Sequence, residues 1–352
     1  MERYTKRIQE GMKIFVGIDM HKTKWHITIF GEGGEIWHGE IAGKWDALRS
    51  ILDRFRRCRI HTVYEAGCFG FWLYDCLIEY GAECIVTPPS LIPLEYGNKV
   101  KTDRRDSKKL AQLLQKDLLK EVHVPTEEER RHRQVFRRRR QLISDRVRTQ
   151  NRIKSELRFF GTGVPDTQGP FSRRYINNLR TLRFGDRIME ESFHHLLDEY
   201  EFLHTLIVRQ TRLINEIAAS DMYKDRVSLL TRIPGIGMLT AMEILVELQD
   251  VARFQRPEQI AAYVGLTPSQ YSTGEKVRMG HITKTGRAHL RATLIDASWR
   301  LIYKDEKVML FYEQLKARAG GKKAIVAVAR RLIIHMRKIL LLHTPNSGKV
   351  AA

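Results

Sequence analysis

From Glu127 to Phe160 the chain runs for 34 residues without a glycine or proline, EEERRHRQVFRRRRQLISDRVRTQNRIKSELRFF. A stretch of that length and composition is predicted to form one extended helix opening at about Thr126. A Gly/Pro-rich break from Gly161 to Pro170 ends it. A second long helix is predicted from about Asp186 to Ala219, where Phe193, Leu196, Tyr200, Leu203, Ile207, Ile214 and Ile217 recur on alternating three- and four-residue steps. Gln210 fills the missing step. That spacing is the seam of a coiled coil, and two such helices make an antiparallel arm.

Ahead of the arm the pattern is α/β. IFVGID (Ile14 to Asp19) reads as a buried strand and WHITIF as its hairpin partner, followed by a third strand from Glu35 to Ile41. A helix from Trp45 to Arg57, a strand from His61 to Ala66, a helix at about Gly70 to Tyr80, a strand at Glu83 to Thr87 and a helix from Asp103 to Leu114 complete the series. Three strands, then alternating helices and strands, is the element order of a ribonuclease-H-like mixed sheet.

Behind the arm, SLLTRIPGIGMLTAMEIL places Gly235 and Gly237 in a turn between two helical patterns. The turn resembles a helix-hairpin-helix, whose backbone N–H groups approach a DNA phosphate, and it equally suits an ordinary interhelical turn. The expected class is therefore α/β plus all-α. Residues 1–125 form the α/β domain, 126–225 the helical arm, 226–345 a mainly helical domain, and 346–352 a disordered tail.

A formal charge of +20 over 352 residues makes nucleic acid the first partner to consider. The basic residues are spread along the chain and not gathered beside an apolar anchor, which argues against a membrane surface. The apolar stretch from Ala324 to Leu342 is interrupted by Arg330, Arg331, Arg337 and Lys338, and MERYTKRIQEGMK lacks an apolar signal core. The expected location is the cytosol or nucleoid. Cys58, Cys68, Cys76 and Cys84 fit no common zinc-ligand spacing and read as reduced structural thiols.

Four carboxylates fall where such a fold brings elements together. Asp19 ends the first strand, Glu65 lies near the end of the fourth, and Asp103 and Asp106 stand three residues apart at a helix start, on one face. Converging carboxylates suit two hard cations about 3.5 to 4 Å apart, for phosphodiester chemistry. Singly, Asp103-x-x-Asp106 is also a helix cap and a strand-end acid a turn residue. In GLTPSQYSTGEKVRMGHITKTGRAHLR, loops punctuated by glycine offer Ser272 or Thr273 as a nucleophile and Lys276, Arg278, Lys284, Arg287 and Arg291 as phosphate-binding cations, or else a plain basic grip. Arg137, Arg138, Arg139 and Arg140 on the arm are read as backbone contacts to nucleic acid, the alternative being a solvated helix face.

Taken together, GIDMHK around Asp19, YEAG around Glu65, KTDRRDSKKLA around Asp103 and Asp106, then IPGIG, GLTP at 265–268, YSTG, Gly280, Gly286 and Leu290-Arg291 resemble the DEDD transposases of the IS one-ten family, the bridge-RNA-guided recombinases. The resemblance covers nearly the whole chain. It implies a RuvC-like domain, a coiled-coil arm and a helical transposase domain. It also implies dimers pairing into tetramers, a structured guide RNA that pairs with donor and target DNA, and Mg²⁺ on Asp19, Glu65, Asp103 and Asp106. The resemblance further implies that a C-terminal serine becomes covalently attached to DNA at a site completed by a partner protomer. The family serine commonly stands immediately before the glycine, where this chain has Thr273. Spacing back from Gly286 favours Ser272 and spacing forward from Pro268 favours Thr273; Ser272 is taken because a primary hydroxyl is less hindered. The competing functions are a metal-only Holliday-junction-type endonuclease and a non-enzymatic nucleic-acid-binding protein.

Overall fold

The computed structural model describes residues 10–93, 103–162, 171–273, 276–283 and 285–343. Its contacts divide the chain into two compact units, Met1–Pro125 and Thr126–Ala352.

The first unit is built on a five-stranded sheet. β1 (Lys13–Met20), β2 (Lys24–Gly31) and β3 (Gly34–Ala42) form an antiparallel meander, and β4 (Arg59–Glu65) and β5 (Glu83–Thr87) extend it in parallel, giving the order β3-β2-β1-β4-β5. The parallel strands need crossovers. These are α1 (Trp45–Leu52), which tightens into a 3-10 turn at Asp53–Phe55, and α2 (Trp72–Glu79). The expected helix to Arg57 thus stops early, because Gly11 N–H bonds the Arg57 carbonyl at 2.8 Å and draws the chain into the sheet. One face of the sheet buries Ile14, Val16, Ile18, Trp25, Ile27 and Ile29 against Leu48, Leu52, Leu73 and Leu77 of the crossovers. α3 (Asp103–Gln115) covers the other face, packing Leu110 and Leu114 against Val63. The four cysteines are free thiols, and burial pushes that of Cys84 up to about 12.

The second unit opens with α4 (Glu127–Phe159), started by a reciprocal capping box between Thr126 and Glu129. α5 (Arg173–Arg180) follows, then α6 (Arg187–Ala219). α4 and α6 pack antiparallel, as their cross-links show. Gln210 Nε2 donates to the Val135 carbonyl (3.1 Å), Arg139 Nε to Thr211 Oγ1 (2.9 Å) and Thr149 Oγ1 to Glu199 Oε1 (2.8 Å). On α6 the buried stripe is Phe193, Leu197, Tyr200, Leu203, Ile207, Ile214 and Ala218. Leu196 and Ile217, expected in the seam, are half-buried. The stripe widens because α6 serves more than one neighbour: Tyr175, Ile176 and Leu179 of α5 join Ile153, Leu157, Phe193 and Leu197 in one cluster at the far end.

The remaining core gathers α7 (Lys224–Thr231), α8 (Met238–Leu248), α9 (Pro257–Val264), α10 (Ala288–Ile302), α11 (Glu306–Ala319) and α12 (Gly321–His343). Between α9 and α10 stands a β-hairpin, β6 (Pro268–Thr273) and β7 (Lys276–Ile282). This is the segment read from sequence as glycine-rich loops, and the structure corrects that reading. Residues 163–170 of the break expected from Gly161 to Pro170, together with Lys284 and the tail 346–352, lie outside the described residues. No helix among the described residues is long and apolar enough to cross a membrane.

Candidate active site

In β1 the alternation of side chains puts Gly17 and Asp19 on one face, and in β4 it does the same for Val63 and Glu65. β1 and β4 are parallel, with Ile18 opposite Tyr64, so Asp19 and Glu65 occupy the next register position at the carboxyl ends of adjacent strands. α3 lies on that face. A Cβ at Gly17 would overlap the Ser107 carbonyl oxygen and come within 2.6 Å of Ala111 N, so the helix backbone sits directly on the glycine. Ser107 is buried, and its hydroxyl bonds Thr28 Oγ1 (2.9 Å) on the strand position opposite Gly17. Farther along, Gln115 Nε2 donates to the Gly31 carbonyl (3.0 Å), near the start of β1. α3 therefore runs antiparallel to β1, and its first turn, Asp103 to Asp106, stands at the same sheet end as Asp19 and Glu65.

The backbone brings the four acidic positions to one end of the sheet. Among the described residues, however, no three His, Cys, Asp or Glu side chains are clustered closely enough to hold a metal ion. Asp19 is largely buried, its carboxylate 3.2 Å from Nε2 of His21, a residue the sequence reading passed over. The donor set is all oxygen and comes from two strand ends and a helix start, which fits a hard divalent cation better than zinc.

In the second unit Ser272 pairs with Val277 and Thr273 with Lys276, so both hydroxyl residues stand at the turn end of the hairpin. The base of the hairpin is pinned. Gly265, in the left-handed region (φ 77°), ends α9, and Gly286 (φ 88°) opens the segment leading to α10. A Cβ on Gly286 would press into the Tyr263 carbonyl, and one on Gly265 into Thr285. The two glycines allow two backbone segments to touch. Arg291 Nη1 adds a bond to the Val264 carbonyl (3.0 Å), and Thr283 N–H one to Thr267 (3.0 Å).

Beside this base lies Glu247, a carboxylate only 2% exposed near the end of α8. Arg133 (3.6 Å) and Arg137 (3.7 Å) reach it from α4, and Arg287 (3.8 Å) and His289 Nε2 (3.1 Å) from the segment after the hairpin. Burial works against its ionisation, yet His289, Arg133 and Arg287 together hold its carboxyl below the ordinary glutamate value. Sequence reasoning missed this group; its signal is a pair of acids, Glu243 and Glu247, one helical turn apart inside the apolar run MEILVEL.

Several cations assigned to nucleic acid from sequence hold protein groups. Arg137 faces Glu247, Arg139 Nε donates to Thr211 Oγ1, and Arg140 pairs with Glu243, which also accepts from Thr293 Oγ1 (2.9 Å). Arg287 Nε contacts the Tyr263 hydroxyl at 3.4 Å. Arg138 is exposed. Lys276 and Arg278 lie on β7. Gly235 (φ 85°) packs against the Arg300–Leu301 backbone of α10, and Gly237 caps α8, whose first N–H groups have no side-chain cap.

Comparison with known proteins bears on both units. Residues 16–161 match the model DEDD_Tnp_IS110, described as "Transposase", and residues 227–313 match one described as "Transposase IS116/IS110/IS902 family". A Sinorhizobium fredii protein carrying the transposase name y4qE is 30% identical over 85% of this chain and 74% of its own length. The transposase for insertion sequence element IS1533 of Leptospira borgpetersenii is 26% identical over 93% and 95%. That for IS1111A of Coxiella burnetii is 25% identical over 93% and 89%. Acids at one sheet end, the pinned hairpin and these likenesses lead to one identification: the chain belongs to the IS110 family of DEDD transposases.

Proposed function

We propose that this transposase is an RNA-guided DNA recombinase that cuts and rejoins strands through a serine-linked intermediate, with Mg²⁺ held by Asp19, Glu65, Asp103 and Asp106. The observation that carries the reading is the sharing of one sheet end by all four acidic positions, while the hydroxyl pair stands on a pinned hairpin in the other unit. The strand order β3-β2-β1-β4-β5 supports a RuvC-like assignment for residues 1–125. The antiparallel α4 and α6 support a coiled-coil arm over 126–225, leaving 226–345 as the transposase domain.

Ser272 Oγ attacks phosphorus and forms a new P–O bond as the bond to the leaving strand breaks. The serine loses its proton and the leaving oxygen gains one. One phosphodiester replaces another, so the step is reversible, and rejoining is the same reaction with a new strand end. Bound Mg²⁺ supplies positive charge at the phosphate oxygens. The carboxylates come from a partner protomer in a dimer that pairs into a tetramer. Arg138, Lys276, Arg278, Lys284 and the N–H groups after Gly237 grip backbone phosphates of DNA or guide RNA in the cytosol, the Ile236 N–H after Gly235 being held by the Ile233 carbonyl (3.1 Å).

Trapping the covalent DNA–protein adduct tests the scheme. Ser272→Ala is expected to abolish it and Thr273→Val to leave it. Loss only in Thr273→Val moves the nucleophile by one residue. A wild-type protein that cleaves without any adduct leaves metal-dependent hydrolysis as the mechanism.

A further inference from the structure

The turn after α7, the end of α10, and α11 and α12 line an open cavity of about 430 Å³. That volume lies within the range of small-molecule pockets, about 300 to 1,000 Å³. Its lining includes the buried Leu301 and Leu332, the half-buried Phe311, and the exposed Arg232, Arg331 and His335. The Arg331 guanidinium lies over the Phe311 ring, 4.8 Å from its centroid. Asp305, the acid in the lining, accepts the Val308 N–H (3.1 Å) as the cap of α11. The remaining charge in the lining is basic.

We infer that this cavity receives one unpaired nucleotide of the bound DNA strand, with its base against Phe311 and its phosphates toward Arg232, Arg331 and His335. An aromatic ring with a guanidinium plane offers stacking, and the exposed cations of the lining offer phosphate contacts. A base paired within a duplex cannot enter such a recess, so the occupant must be unpaired. The cavity also adjoins the turn that contains Gly235. Pro234 lines it, and Arg300 Nε holds the Gly235 carbonyl at 3.0 Å, locking that turn onto α10. A strand whose phosphate is gripped by the turn would present its neighbouring nucleotide to the cavity. The inference rests on the DNA-binding reading given under Proposed function.

The test is binding of the full-length protein to three labelled DNAs: a continuous duplex, the same duplex with one unpaired nucleotide, and one with an abasic unit in its place. Wild type is expected to prefer the unpaired nucleotide over the abasic unit by about tenfold, the order that one stacked base supplies. Phe311→Ala and Val308→Trp are expected to remove that preference. Arg331→Ala changes an exposed residue and keeps the test open if either of the others melts early. Equal affinity for base and abasic unit, with duplex binding intact, overturns the inference while leaving the transposase mechanism standing. A preference seen only in an equivalent RNA, or only after removal of residues 344–352, overturns it too. The first assigns the cavity to RNA and the second to the chain's own terminus. Failure to bind any of the three DNAs, with guide RNA present as well as without it, defeats the DNA-binding reading itself.

Discussion

Glu247 joins pieces of chain that are distant in sequence. A carboxylate buried to this extent in an apolar helix is costly unless it is paired, and here cations from α4 and from the segment after the hairpin converge on it. Removing the charge leaves Arg133, itself buried, facing a neutral group. Glu247→Gln is therefore expected to lower the unfolding free energy at neutral pH by about 3 kcal/mol. The pH dependence follows from the lowered pKa. A carboxyl held below its unfolded value contributes stability above that value, about 4.3, and loses it as the pH falls through the folded value. The gap between wild type and Glu247→Gln should thus close on acidification, and urea unfolding at pH 7 and at about pH 3.5 measures it. Equal gaps at the two pH values would refute this account. None of this was legible beforehand, because two glutamates in MEILVEL do not name partners over a hundred residues away.

Among the elements, α3 illustrates how a helix is aimed. Its register over the sheet is set by Gly17, where the helix backbone lies too close for any side chain, and by the Ser107–Thr28 bond. Gly17→Ala must lift the helix and with it the first turn that carries Asp103 and Asp106. The expected result is a loss of about 1 to 3 kcal/mol in stability together with a severe loss of strand cleavage, while DNA binding persists. Cleavage at the wild-type rate would show that the position of α3 does not matter to the reaction. The strands of the first unit were readable because their apolar residues alternate or run together between polar turns. β6 and β7 were not. Gly265 and Gly286 look like loop residues, yet each sits where two backbone segments touch and no Cβ fits. α5 was also missed: at eight residues it offers too little periodicity to stand out, and its buried face has meaning only against α4 and α6.

For the molecule as a whole, a charge of +20 makes affinity for nucleic acid depend on released counterions. Raising salt from about 50 to 200 mM should weaken DNA binding roughly a thousandfold or more if at least six phosphates are contacted. Fluorescence anisotropy across that range gives the slope, and a flat response would mean that the basic surface does not hold the backbone. Not every arginine is free to contact a phosphate. Arg133, Arg137, Arg140 and Arg287 face Glu243 or Glu247, and Arg180 binds Asp198 (by a short contact) and Glu201 at 2.7 Å.

The sequence alone determined what local chemistry can express. The alternating strands, the long helix with its Thr126 cap, the basic excess, and the acidic and hydroxyl motifs all depend on neighbours a few residues away. Tertiary structure decided which arginines are spent inside the protein, that two glycines serve backbone contact, and that Glu247 ties the arm to the hairpin base. It also formed the open cavity that Phe311 helps to line. These follow from packing between remote segments, where an atom's partner is set by the fold and not by its place along the chain.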